Sequence, residues 1–466
     1  MTSKKKSDIN KTLLLVVTIL SNFFNPLMGA AVNIALPQIG TDFVMGAVQM
    51  SWVTMAYLLA SAVFLLPLGK IGDMWGRKKM FLLGNVFFAL ASFMCGMANS
   101  GDFLVFSRLL QGVGGAMMVS TSMAIVISAF PPEQRGKVIG MNVSAVYVGL
   151  SVAPIMGGFL TETVGWRSLF LISAVIAVLV SCIVWLIKID WVEKEKDKFD
   201  WLGTIIYIPS MSALMYGLSH LPSVSAVFFA VLGLIGLVGF VLVEKRRTYP
   251  VLNMKLFFEN RVFASSNISA LINYAATFAV GFMLSLYLQY AKKLSPAEAG
   301  MLLITQPLLM AVVAMFSGRL SDKMNARMLA SIGMAISAAG LLMLVFIAQD
   351  SSQLYIILSL VVLGFGIGLF SSPNTNLVMS SVEKRYYGVA SATIGTMRTT
   401  GMMFSMAIAS LSIHLFVGNA IINDSNVSAF IKSTQLVFVV FSMLCIIAVF
   451  LSLVKVKSPI STKKPS

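Results

Sequence analysis

Long apolar runs separated by short polar breaks occupy the chain almost from end to end. A membrane-crossing helix needs about 20 mostly apolar residues. By that length the sequence predicts fourteen spans, at 12–37, 48–69, 79–98, 103–130, 137–161, 168–188, 201–220, 225–243, 262–290, 298–318, 328–349, 353–381, 387–416 and 432–454. The polar breaks reach about a dozen residues at most, too short for a folded core. Local signals fix some ends: Ser295-Pro296-Ala297-Glu298 is a capping box that opens the tenth span, and Pro131-Pro132 stops the fourth. Lys4, Lys5 and Lys6 resemble the start of a secretory signal, but the run behind them is too long and lacks a small-residue cleavage site, so it is read as an uncleaved first span.

Composition agrees with an all-α polytopic membrane protein: 58% of residues are hydrophobic, 11% are charged, and mean hydropathy is +0.89. The net charge of +16 changes the picture only through its placement. With the N-terminus on the cytoplasmic side, 28 of the 34 lysines and arginines fall in cytoplasmic segments, four fall outside (Arg167, Lys292, Lys293, Lys432), and Arg108 and Arg398 lie within spans. Cytoplasmic loops carry such an excess, so the basic balance reports topology and not nucleic-acid binding. Both termini are then cytoplasmic. Cys95, Cys182 and Cys445 sit in apolar spans with no CxxC or histidine partner and read as small hydrophobes.

The stretch Gly69 to Lys79, Gly-Lys-Ile-Gly-Asp-Met-Trp-Gly-Arg-Lys-Lys, puts Asp73 and four cations into a glycine-rich turn after the second span. It has an echo at Gly318 to Arg327, where Asp322 again follows a glycine by four residues, after the tenth span. Repeated halves related by an axis along the membrane normal are a recurrent transporter design. The expected organisation is six plus two plus six: a helical bundle at 1–188, an inserted pair with its linkers at 189–261, and a second bundle with a basic tail at 262–466.

Two charges and several amides lie where hydrocarbon makes them expensive. Arg108, in the fourth span with Gln111, Gly112, Gly114 and Gly115 behind it, either reaches the interface or supplies a fixed positive charge. Arg398 lies deeper in the thirteenth span, with Met402 and Ser405 on its face, and is read as functional. Asn22, Asn25 and Asn33 in the first span, and Asn374 and Asn376 in the twelfth, either line a cavity or bond between helices. The fifth span carries Ala145, Gly149, Ala153 and Gly157 at a spacing of four, with Pro154 and Gly158 alongside, a face that admits a neighbouring backbone closely. His220 and His414 have no triad or ligand set. No span offers a nucleophile with a base, a phosphate-binding loop or a metal-ligand cluster, which leaves a transporter driven by a gradient, with no enzymatic step and no cofactor.

These motifs together resemble the major facilitator superfamily, in particular its fourteen-helix drug:proton antiporter branch. Gly69, Asp73, Gly76, Arg77 and Lys78 resemble the signature loop after helix 2, with Met74 where arginine is usual. Arg108, Gln111 and Gly112 resemble the helix 4 motif, Gly149 to Gly158 with Pro154 the helix 5 antiporter motif, and Asn33-Ile-Ala-Leu-Pro37 the end of the branch's helix 1 motif; Trp166-Arg167 fits as well. The resemblance implies alternating access by two rocking bundles. It assigns Gly69, Asp73, Gly76, Arg77, Gly318 and Asp322 to a conformational switch, with Asp73 clasping the start of the thirteenth span near Gly388 in the outward-facing state. It links Arg108, Gln111 and Gly112 to proton coupling, and Gly149, Pro154, Gly157 and Gly158 to export. One departure stands out: Met28 occupies the place of the branch's helix 1 aspartate, and no span has an acidic residue near its middle. Glu162, eight residues after Pro154, becomes the candidate for proton coupling.

The sequence therefore predicts a monomeric secondary transporter of the inner or plasma membrane that exports drugs or other small organic compounds in exchange for protons, with Asn25, Asn33, Asn374, Asn376, Arg398 and Met402 as cavity residues. Two rivals remain: a carrier of an anionic metabolite held by Arg108 and Arg398, and a membrane receptor or assembly protein that kept the fold without transport.

Overall fold

Peptide groups in hydrocarbon have no water to bond, so a chain of this composition satisfies them along its own axis. The computed structural model describes residues 3–130, 132–187, 199–247, 250, 252, 254–321, 323–383 and 387–453. Fourteen helices among them are long and apolar enough to cross a membrane. They are α1 (Ser3–Asp42), α2 (Ala47–Trp75), α3 (Arg77–Gly96), α4 (Gly101–Ala129), α5 (Pro132–Thr163), α6 (Arg167–Leu186), α7 (Trp201–His220) and α8 (Val224–Glu244). After a short helix, Met254–Glu259, follow α9 (Arg261–Ala291), α10 (Pro296–Ser321), α11 (Ala326–Val345), α12 (Gln353–Ser380), α13 (Tyr387–Phe416) and α14 (Val427–Leu453). This is a multi-pass membrane protein, and its fold is all-α.

Helix starts follow the polar residues that accept orphan N–H groups. Ser100, Ser223, Asn260, Asn325 and Ser352 each cap the helix behind them, and Ser295 with Glu298 forms the complete capping box at α10. Two boundaries differ from the sequence expectation. α1 runs past Pro37 to Asp42, where the Trp166 indole donates to the Asp42 carboxylate at 2.7 Å. The Gly69–Lys79 stretch is not a turn: α2 continues through Trp75, and Gly76 alone, at φ 119°, separates it from α3. Positive φ at that joint is accessible to glycine at little cost.

The packing repeats. α1 lies against α5 and α6, α2 against α4, and α3 between α4 and α6; adding eight to each number gives the pairs formed by α9 to α14. The contacts between the two sets obey the same rule, with α2 on α13 matched by α10 on α5. The inserted α7 and α8 cross closely, with Gly217 against Ala230 and Gly233 against Leu214, and α7 leans on both α2 and α13. α8 buries only Ala226, Gly233, Phe240 and Glu244, and so presents most of its apolar surface to lipid.

Successive helices alternate in direction, so the connections fall on two faces. One, here the basic face, carries the α2–α3 joint; the other, the opposite face, carries the α1–α2, α9–α10 and α13–α14 connections.

Candidate functional site

A row of hydrogen bonds joins the α1–α6 set to the α9–α14 set toward the opposite face. Ala47 N donates to Ala420 O at 3.1 Å, and Ser51 Oγ to Ser410 Oγ at 2.9 Å. Ser285 Oγ donates to Asn33 O at 2.8 Å and Gln289 Nε2 to Ile34 O at 3.0 Å. Ala297 N donates to Glu162 Oε2 at 3.1 Å, which places that carboxylate at the positive N-terminus of α10. Backbones meet here as well. A Cβ on Gly158 would lie 2.9 Å from Ala297 Cα, and one on Gly300 would lie 2.9 Å from the Pro154 carbonyl carbon.

α5 thus uses its small residues on two sides. Gly149 meets the Phe23 backbone and Gly157 meets Ala31, both on α1 within the same set. Pro154 and Gly158 face α10 of the other set. Consecutive residues 157 and 158 therefore serve different contacts, one inside a bundle and one across the seam.

Between the two sets, three half-buried side chains from α5, α9 and α12 gather around Arg398 of α13, itself half-buried. The guanidinium carbon stands 5.5 Å from the centre of the Tyr274 ring, and Nη2 donates to Thr375 Oγ1 at 3.2 Å. The Tyr147 hydroxyl, from the other set, is bonded to Ser371 Oγ at 2.7 Å, one turn before Thr375 on α12. Arg398 Nε has no hydrogen-bond partner, and no carboxylate among the described residues pairs with this cation. Gly401 positions the group: its Cα approaches α9 so closely that a Cβ would sit 2.9 Å from Tyr274 Cβ. Met402 follows Arg398 by one turn and is half-buried.

Arg108 has a different setting. It is 2% exposed and lies wholly inside the α1–α6 set. Its Nε donates to Val53 O on α2 at 2.8 Å, Nη1 donates to Gln111 Oε1, and Gln111 Nε2 donates to Ser92 Oγ on α3 at 2.7 Å. The guanidinium lies 4.7 Å from the Tyr57 ring centre and 5.8 Å from that of Phe170. Gly112 makes this possible, since a Cβ there would meet the Tyr57 carbonyl. The arrangement ties α2, α3, α4 and α6 together.

The amides are distributed, not gathered. Asn33 Oδ1 accepts from Thr54 at 2.8 Å while its backbone oxygen takes part in the seam. Asn374 Nδ2 donates to Ser266 O at 3.1 Å, and Asn376 Nδ2 to Ser321 Oγ at 3.1 Å. Asn25 accepts from the Tyr57 hydroxyl at 2.5 Å and borders a small cavity of about 20 Å³ inside the α1–α6 set, which Met28, Ser21 and Asn85 also line. On the basic face Asp73 pairs with Arg77 at 2.6 Å, and Arg77 reaches Ser128 at 2.5 Å. Gly69 and Gly72 let α2 approach Ser120 and Thr121 of α4, and Gly318 lies 3.7 Å from Ser372 by the same measure. Asp322 lies outside the described residues. The sequence reading missed Tyr147 and Tyr274. The available signal was a tyrosine in mid-span, since this residue belongs by preference at the membrane interface.

Two repeated helical sets, closed against each other on one side of a central charged site, define a membrane transporter. The sequence model of the Major Facilitator Superfamily matches residues 18–201 and 267–466, and the chain belongs to that family. Its family and fold are those of transporters, not enzymes. It is 28% identical over 446 residues to the riboflavin transporter RibZ of Clostridioides difficile, covering 95% of this chain and 97% of that protein. It is also 28% identical to multidrug resistance protein Stp of Mycobacterium tuberculosis (86% of this chain, 76% of that protein) and to multidrug resistance protein 3 of Bacillus subtilis (77% and 71%). Among solved structures, a bacterial homologue of the human lysosomal transporter Spinster, inward-facing and unoccupied, superposes with a TM-score of 0.69 at 16% identity, covering 97% of both chains. The nucleoside transporter NupG gives a TM-score of 0.63 at 14% identity, covering 94% of this chain and 98% of that one. At such identities the superpositions speak to the fold alone.

Proposed function

We propose that this protein exports drugs or other small organic compounds across the cell's inner or plasma membrane in exchange for protons, as a monomer working by alternating access. The observation that carries this reading is the seam near the opposite face, placed over a central site at Arg398. Excess lysine and arginine assigns the basic face and both termini to the cytoplasm; the seam then closes the outer side, the inward-facing state of a carrier. Asp73 and Arg77, with Gly69 and Gly76, act as the inner switch, and Asp322 with Gly318 as its repeat. In the seam-closed state Asp73 holds Arg77; in the outward-facing state it is freed to clasp the start of α13, whose N-terminus favours an anion.

Glu162 couples this cycle to protons. As a carboxylate it accepts the Ala297 N–H across the seam, and protonation removes the charge that favours that helix end. Arg108, Gln111 and Gly112 keep the α1–α6 set rigid while it moves. The relatives named as multidrug resistance proteins support the export of organic compounds, and the relative named as a riboflavin transporter supports an aromatic cargo. The test is the movement of a small organic dye, with a cationic and an anionic compound compared side by side, by purified protein in liposomes under an imposed pH gradient. Efflux of at least one, driven by external acid, is expected. Movement unaffected by the gradient would remove proton coupling, and no movement of either would remove the drug reading.

A further inference from the structure

We propose that the cluster of Arg398, Tyr147, Tyr274 and Thr375 between the two sets binds a small aromatic compound that carries a single negative charge. The proposal rests on the transporter reading and names the class of compound its central site takes.

The charge follows from the missing counter-ion. Arginine keeps its proton in proteins, and a cation within a membrane span is costly unless it is paired or hydrated. Arg398 stands about three turns in from the basic-face end of α13. Thr375 takes one N–H, Nε has no partner, and no described carboxylate pairs with it. An anion supplies the missing charge; a cation would meet uncompensated repulsion. A single charge suffices: Arg108 also lacks a carboxylate and keeps Nη2 unpartnered, but it is sealed inside the α1–α6 set, away from the space between the sets.

The aromatic body follows from the walls. Tyr274 lies beside the guanidinium, Tyr147 from the other set bonds Ser371 one turn before Thr375, and Met402 is the next turn of α13. A flat ring can stack on the tyrosines and contact the thioether. An inorganic anion would leave those surfaces uncovered. Because Tyr147 and Arg398 belong to opposite sets, such a ligand touches both and feels their relative motion.

The test uses one ring with three charges: 1-naphthoate, uncharged 1-naphthamide and 1-naphthylmethylammonium, with cyclohexanecarboxylate as the saturated anion. Binding to purified full-length protein is measured by calorimetry, and counterflow of each labelled probe in liposomes. Naphthoate should bind at least tenfold more tightly than the ammonium probe and than cyclohexanecarboxylate. Arg398→Gln should bring the naphthoate and ammonium affinities within about threefold of each other while naphthamide changes little, and Arg398→Lys should keep the charge preference. Tyr274→Leu should weaken naphthoate and naphthamide together. Preference for the ammonium probe, equal binding of the saturated anion, an unchanged preference in Arg398→Gln, or no binding of any probe would each overturn the proposal. The wild-type ordering decides the charge class even where Arg398→Gln does not fold. Counterflow of the ammonium probe alone would overturn the site and keep the transporter; naphthoate binding without counterflow of any probe would keep the site and remove the transporter.

Discussion

Gly157 and Gly158 are neighbours in sequence, yet a methyl group on each should produce different effects. A Cβ on Gly158 would lie 2.9 Å from Ala297 Cα and closer still to Pro296 O, both backbone atoms of α10 that cannot rotate away. Ordinary contact begins at 3.4 Å. Relief therefore requires α5 and α10 to part, and overpacking of this kind costs roughly 1–3 kcal/mol. Under the proposed alternating access the seam joins the two sets in the closed arrangement alone, so the penalty falls on one side of the conformational equilibrium. A bias of that size shifts the populations roughly 5- to 150-fold. A Cβ on Gly157 would lie 2.8 Å from Ala31 Cα, but α1 and α5 belong to the same set and keep this contact as the sets move. Gly157→Ala should lower stability and leave the equilibrium in place. The assay is the rate at which a membrane-impermeant maleimide labels a Ser285→Cys reporter, fully buried in the closed seam, from the opposite face. Gly158→Ala should raise that rate at least fivefold, and Gly157→Ala should not, although both lower the unfolding temperature. Equal rates for the two variants would refute the assignment of the two faces of α5.

Other expected outcomes are simpler. Glu162→Gln removes the charge at the α10 N-terminus and should raise labelling of the same reporter roughly two- to fivefold; no change would detach Glu162 from the gate. Asp73→Asn removes the carboxylate that pairs with Arg77 and should slow substrate turnover more than it raises KM, whereas a pure KM effect would count against the switch. Gly76→Ala forces a Cβ into φ 119° and should cost about 1–2 kcal/mol, read as a lowered unfolding midpoint in detergent. Arg108→Ala strands the Val53 carbonyl and Gln111 and leaves a cavity, so it should destabilise by roughly 2–5 kcal/mol. Arg108→Lys should not restore it, because one ammonium cannot span both acceptors while packing on Tyr57.

What the sequence made legible follows from what the bilayer enforces. The fourteen spans were readable because hydrocarbon thickness sets their length, and the repeated packing was foreshadowed in the sequence by Asp73 and Asp322, each four residues after a glycine. The asparagines were harder. An amide in a span announces only that it needs partners, and Asn33, Asn374 and Asn376 find them on adjacent helices, which no single helix pattern can forecast. Arg108 and Arg398 pose the same problem more sharply. Both are arginines in spans, and composition treats them alike. The difference lies in neighbours from distant segments: Val53, Gln111 and Ser92 enclose the first, while Tyr147, Tyr274 and Thr375 leave the second with an unpartnered Nε between two sets of helices. Each keeps one unpartnered donor, Nη2 of Arg108 and Nε of Arg398; a cation enclosed within one set of helices holds that set together, and one between two sets is placed to hold cargo. That distinction turns on tertiary contacts, and on it rest the proposed roles of Arg108 in the scaffold and Arg398 in the transport step.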